Sequence, residues 1–208
     1  MRLQKFILLV LFLGSFAGFS QKTMLNTLDA QSVKGIFIDS DQVFEVFVKA
    51  TSSSEFSVTA EVEGETFETL KLDTKIENGL WYIKTGRSIG FKNIDDKLAA
   101  HKVLSVVLYV EMPLNKEVWV DSDLASVQLT GAFNQINLNL LGGGCILNDF
   151  RGNGIVNTLR GNIKAKVNDT RVLAESRNGI VNIKETGFGS FLLSLKTIDG
   201  DISVSQSE

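Results

Sequence analysis

From Gly131 to the C-terminus, short runs of alternating apolar and polar residues are separated by turn residues about every ten positions: Gly131, Gly142, Gly152, Gly161, Asp169-Thr170, Gly179, Gly189 and Gly200. The runs are too short for stable helices. Their apolar residues recur with period two, as in Ile136/Leu138/Leu140, Ile163/Ala165/Val167, Phe191/Leu193/Leu195 and Ile202/Val204, the pattern of strands that bury one face. A regular succession of short strands and glycine corners predicts either a β-sandwich or a β-solenoid in which one coil stacks on the next. Spacing alone does not separate coils from antiparallel hairpins.

The N-terminal half is also strand-rich, with a different rhythm. Phe56, Val58, Ala60 and Val62 alternate with Ser57, Thr59, Glu61 and Glu63, and Leu70, Leu72 and Ile76 repeat the pattern. Turn signals at Ser52-Ser53-Ser54, Gly64 and Asn78-Gly79 divide these runs, and both residues of the Asn-Gly pair tolerate the positive φ of a hairpin turn. We read an antiparallel meander here. A long irregular link over 86–102 precedes the nearly continuous apolar strand Val103 to Met112, which ends at Pro113, the only proline. The expected organisation is a leader over 1–20, an antiparallel β region over 21–122 and a β-solenoid region over 123–208.

The leader reading rests on Arg2 and Lys5 before the apolar stretch Phe6 to Leu13, with small residues Gly18 and Ser20 before Gln21. This is the layout of a cleavable secretory signal peptide, too short in its apolar part to be a membrane span. The expected location is therefore periplasmic or extracellular, with no transmembrane helix in the mature chain. No cysteine lies at the cleavage point, so a lipid-anchored form is not expected. Cys145 is the only cysteine, which excludes an internal disulfide and leaves hydrophobic burial to carry stability. The net charge of −3 gives no reason to expect nucleic acid.

Two corners share one pattern of apolar, polar, Gly, polar and then apolar alternation: Leu159-Arg160-Gly161-Asn162-Ile163-Lys164-Ala165 and Ile198-Asp199-Gly200-Asp201-Ile202-Ser203-Val204. Arg177-Asn178-Gly179-Ile180-Val181-Asn182-Ile183 is a looser copy. With the leader and the segment Leu108-Tyr109-Val110-Glu111-Met112-Pro113, these corners resemble the "putative adhesin" family of bacterial envelope β-solenoid proteins over about Val33 to Val204. The resemblance implies an exported, mostly parallel β-solenoid with an adhesin role. It brings no functional residues to carry over.

Several constellations imitate chemistry. Gly86-Arg87-Ser88-Ile89-Gly90 has the spacing of a nucleophile elbow, with Asp95, Asp96 and His101 following, yet the elbow needs a strand-turn-helix in a parallel α/β sheet and partners from distant loops. Asp39-x-Asp41 and Asp121-x-Asp123 begin like calcium loops but lack the glycine at position 6, and one histidine with one cysteine cannot build a zinc site. We expect no catalytic residues, no metal and no cofactor. Ten asparagines between Asn134 and Asn182 are read first as turn formers, with stacked amide ladders as the alternative.

Charge offers one candidate site. Arg151 to Lys184 holds seven basic residues against Asp169 and Glu175. Arg160 and Arg177 lie 17 residues apart beside glycine turns, a spacing at which a two-strand coil stacks them, and Lys164 and Lys166 share one outward strand face. Arg160, Lys164, Lys166 and Arg177 together form a candidate stripe for anionic envelope polysaccharide; another envelope protein is the other candidate partner. The sequence thus points to an exported, non-enzymatic structural or adhesin-like protein. The alternatives are an envelope-sensing partner of a membrane protein and, third, a polysaccharide-active enzyme.

Overall fold

A computed structural model describes residues 21–39, 42–64, 70–87, 104–184 and 189–207. The expected leader, Asp41, and the Ser88, Asp95, Asp96 and His101 of the elbow-like segment lie outside the described residues. The strands are β1 Gln21–Asp29, β2 Gly35–Asp39, β3 Glu45–Thr51, β4 Glu55–Gly64, β5 Leu70–Glu77, β6 Leu80–Arg87, β7 Leu104–Pro113, β8 Glu117–Ser122, β9 Ser126–Leu140, β10 Cys145–Arg160, β11 Ile163–Val167, β12 Thr170–Ser176, β13 Val181–Ile183, β14 Phe191–Asp199 and β15 Ile202–Gln206. A single 3-10 turn at Ala30–Ser32 is the only helical element among the described residues. The protein is all-β.

All fifteen strands belong to one sheet that wraps around one core in a nearly closed, barrel-like fashion. Continuity comes from β9 and β10, which each run through both halves of the wrap. Their N-terminal parts lie in the first face, ordered β1-β4-β7-β3-β9-β10-β11-β15-β13. Their C-terminal parts lie in the second face, ordered β5-β6-β2-β8-β9-β10-β14-β12.

The bend in each long strand has a local cause. In β9, Gly131 takes φ 109, and in β10 Asp149 and Gly152 take φ 47 and 152, backbone that a regular strand does not adopt. The inward set changes parity across each bend, from Val127, Leu129 and Phe133 to Ile136, Leu138 and Leu140 in β9, and at Asp149 from Cys145 and Leu147 to Phe150 and Val156 in β10. Phe133 and Phe150 fill the inside of the bend, their rings stacked at 6.0 Å. The core they join extends from Val33 to Val204.

Successive turns of chain are offset by 18 residues. Gln128 pairs with Ile146 and Ile146 with Lys164; Asp121 pairs with Asn139 and Asn139 with Asn157. The repeat then continues to Asn182 and Glu175, but not as direct neighbours. The last segment, β14 and β15, is wedged between: Ser203 sits between Lys164 and Asn182, and Lys196 between Asn157 and Glu175. The corners follow the same order, with Ile163 N–H donating to the Asp201 carbonyl at 2.9 Å and Ile202 N–H to the Ile180 carbonyl at 2.9 Å.

The N-terminal region differs from the expected antiparallel meander. The hairpin at Asn78-Gly79 is present, with φ 53 and 75, and β1–β4, β4–β7 and β5–β6 are antiparallel. However, β2 runs parallel to β6 and β8, and β3 parallel to β7 and β9. β2 lies in the second face and β3 in the first, and each pairs with later passes of the chain, so its neighbours in space are distant in sequence. Within β5, Leu70 is buried but Ile76 is 52% exposed; β5 is the edge strand of the second face, while Trp81 opposite Ile76 on β6 is buried.

Cys145 starts β10 and is fully buried, and burial pushes its thiol up to about 12. Such a thiol behaves as a small hydrophobe and supplies almost no thiolate. We expect a thiol reagent to label the native protein negligibly and to label one thiol per chain in denaturant. Rapid stoichiometric labelling without denaturant would show that this coil is misplaced.

Candidate functional site

The outward side of the first face carries a lysine cluster near the C-terminal end of the wrap. β11 alternates inward Ile163, Ala165 and Val167 with outward Lys164 and Lys166. Beyond it, Ser203 and Ser205 of β15 continue the two rows, and Asn182 of β13 pairs with Ser203. Lys184 follows β13, its N–H donating to the Val204 carbonyl at 2.9 Å. Lys164, Lys166 and Lys184 thereby border one shallow groove of about 260 Å³ that Ser203, Ser205, Asn148 and Asn182 line together with the exposed Ile146. All three lysines are exposed. None of them takes part in an ion pair among the described residues.

The two arginines of the sequence-derived stripe lie elsewhere. Arg160 ends β10 on the second face and pairs in register with Asp199 of β14, and Asp199 also accepts from the Asn178 amide at 2.7 Å. Arg177 follows β12 on the far side of β14, its N–H donating to the Thr197 carbonyl at 3.1 Å. The wedged β14 thus separates Arg160 from Arg177, and both sit at the ends of second-face strands, whereas Lys164 and Lys166 lie on the first face. The structure brings Lys164 and Lys166 together and adds Lys184, which sequence reasoning missed. The 18-residue repeat that links Lys164 to Asn182 was the available signal.

Arg151, the other arginine of the basic stretch, is held by its neighbours. Its guanidinium lies 3.5 Å from the Asp169 carboxylate and 4.7 Å from the Phe191 ring centre. Asp169 is kept ionised below the usual carboxylate range chiefly by the Ser190 N–H and hydroxyl, which donate at 2.9 and 3.0 Å, with Arg151 adding to the effect. This is corner chemistry, and it neutralises Arg151.

The second face carries a polar row at one register position. The Asn139 amide donates to Asp121 at 2.8 Å and the Asn157 amide to Asn139 at 3.0 Å, so these asparagines form a ladder, while Asn162 and Asn178 serve corners. The row continues through Lys196 to Glu175, 3.8 Å apart, along an open groove of about 950 Å³. Its charges are largely matched within the row. Aromatic rings are also self-satisfied: on the second face Phe37 stacks on Tyr82 at 4.9 Å, and on the first Phe47 stacks on Tyr109 at 5.2 Å. Rings stacked from strand to strand turn their faces to each other and only their edges outward.

No family model matches the chain, and no curated protein matches it in sequence. Solved structures do. One described as a putative cell adhesion protein from Clostridium sporogenes superposes with a TM-score of 0.64 at 9% identity, over 90% of this chain and 100% of that one. Another, described as a putative adhesin from Bacteroides fragilis, gives a TM-score of 0.42 at 11% identity over 90% of this chain and 99% of that one. The likeness to the Clostridium protein is one of fold. Among the described residues no helix is long and apolar enough to cross a membrane.

Proposed function

We propose that this protein is an exported, adhesin-like envelope module that binds an anionic polymer and performs no reaction, and that its parallel 18-residue winding is an irregular β-solenoid. The single observation that carries the binding reading is the groove bordered by Lys164, Lys166 and Lys184, three exposed lysines without acidic partners among the described residues. Neighbouring strands repeat every 4.7–4.9 Å, so cations two strands apart offer charges at a spacing on the scale of successive units of a polyanion. Ammonium groups act here as point charges, and serine and asparagine supply hydrogen bonds between them. The fold likeness to a protein described as a putative cell adhesion protein supports the same class of role.

The test is binding of the purified mature protein to polygalacturonate and to lipopolysaccharide across a salt series, beside a Lys164→Gln/Lys166→Gln/Lys184→Gln variant. Exposed ion pairs contribute roughly 0.2–1 kcal/mol each, so losing three is expected to weaken binding about tenfold at low salt, with the difference shrinking as salt rises. An Arg160→Gln/Arg177→Gln variant is expected to bind like the wild type. Equal binding by the lysine variant, or no binding at low salt, would remove this reading.

A further inference from the structure

The C-terminal end of the wrap exposes a strand whose sequence is complementary to itself. β12 pairs only with β14 among the described residues, leaving its other side open. Leu173, at its centre, points outward and is 61% exposed, and Ile180, Ile183 and Val181 at the same end are 73%, 43% and 38% exposed. Open edges in soluble proteins are normally guarded by charged side chains, proline or a bulge. The run Thr170-Arg171-Val172-Leu173-Ala174-Glu175-Ser176 has no proline or bulge, and its two charges, Arg171 and Glu175, are of opposite sign and symmetric about Leu173.

Hydrogen-bond parity fixes what could pair there. The Asp169 carbonyl accepts from Phe191 N–H at 3.2 Å and Arg177 N–H donates to the Thr197 carbonyl at 3.1 Å, so the odd-numbered residues of β12 bond towards β14. The even-numbered residues Thr170, Val172, Ala174 and Ser176 therefore turn their N–H and C=O groups to the open edge, since successive residues of a strand alternate sides. An antiparallel partner must set even residues opposite even residues. A second β12 centred on Leu173 does so: Val172 meets Ala174, Thr170 meets Ser176, and each pair exchanges two bonds. Leu173 then meets its own copy, and Arg171 meets Glu175 twice, in the non-hydrogen-bonded positions where side chains approach closest.

Neighbouring registers fail on charge. Slipping by one hydrogen-bonding step in one direction sets Arg171 against Leu173 and Asp169 against Glu175. The opposite slip sets Leu173 against Glu175 and Arg171 against Arg177. Only the central register matches unlike charges and apolar residues together. It also extends the shelter over Val172 and Ala174, the partly buried residues that pack against the end of the core.

We propose that this edge is an isologous interface with a second copy of the chain, formed by antiparallel β12–β12 pairing about Leu173. Such pairing continues the second face without inverting it, so the outer surface of that face lies on the same side in both copies. The inference stands on β12 alone and does not depend on what the lysines bind.

Sedimentation equilibrium of the purified mature protein tests it. The wild type is expected to associate to a dimer in the micromolar range. Arg171→Glu and Glu175→Arg, which each create two like-charge contacts, are expected to weaken the dimer at least tenfold, and the double reversal Arg171→Glu/Glu175→Arg to restore it. Leu173→Cys is expected to form an intermolecular disulfide on mild oxidation, because position 173 meets its own copy and the native Cys145 thiol is buried out of reach, whereas Arg171→Cys is not. A wild type that stays monomeric to about 100 μM overturns the proposal, as does a dimer indifferent to both single reversals or cross-linked equally well from position 171.

Discussion

Gly161→Ala is expected to destabilise the protein by about 3 kcal/mol or more, the upper end of overpacking costs. A Cβ on Gly161 would lie 2.3 Å from the Gly143 carbonyl oxygen and 2.7 Å from its carbon. These are backbone atoms of the next corner, and neither corner can retreat easily. Gly161 N–H donates to Asp199 at 3.1 Å and the Asn162 carbonyl accepts from Cys145 at 3.0 Å, so a shift that relieves the contact breaks ladder bonds on both sides. The same closeness recurs along the edge, from Gly143 against Ala125, to Gly200 against Gly161, to Gly179 against Gly200. For a chain of this size the loss lowers the melting temperature by roughly 6–12 °C. Gly86→Ala is the control, because its Cβ would meet the Asp73 carboxylate at an ordinary 3.6 Å. Thermal unfolding of both variants decides the matter. Equal melting temperatures would mean that the corners are not stacked as described.

The second large effect is expected at Phe150. Its side chain is fully buried and stacks on Phe133 inside the bend of the long strands, and truncation to alanine leaves a cavity where two faces of the sheet converge. Phe-to-Ala changes at such sites cost roughly 3–5 kcal/mol, or about 6–20 °C in melting temperature here. Ile155→Ala, on the same strand but outward and 41% exposed, is expected to cost about 0.5 kcal/mol or less. Urea unfolding read by tryptophan fluorescence compares the two directly. A similar midpoint for both would show that the parity change at Asp149 has been misassigned, since that change is what turns Phe150 inward and Ile155 outward.

Those two residues mark how far the sequence carried. Alternation placed Ile163, Ala165, Val167, Leu193, Leu195, Ile202 and Val204 inside, and all are buried, because period two is a property of a single strand. The corners at Gly161, Gly179 and Gly200 were equally legible, since each interrupts the alternation where it stands. For the candidate site, alternation put Lys164 and Lys166 outward together. It could not add Lys184 or remove Arg160 and Arg177, because that depends on which strand lies between them.

The sequence by itself determined an all-β chain, the inward set of most strands and the positions of the turns, all of which follow from local geometry and the burial of every second residue. Only the tertiary structure decided the order of strands. Spacings of 18 and 21 residues between corners suit sequential coils and hairpins alike. Pairing in the wrap joins Lys196 to Asn157 and Ser203 to Lys164 across 39 residues, inserting β14 between β10 and β12 and β15 between β11 and β13. Backbone hydrogen bonds carry no residue identity, so a ladder accepts any strand of the right parity and burial. Which strand arrives is settled by how the whole core closes.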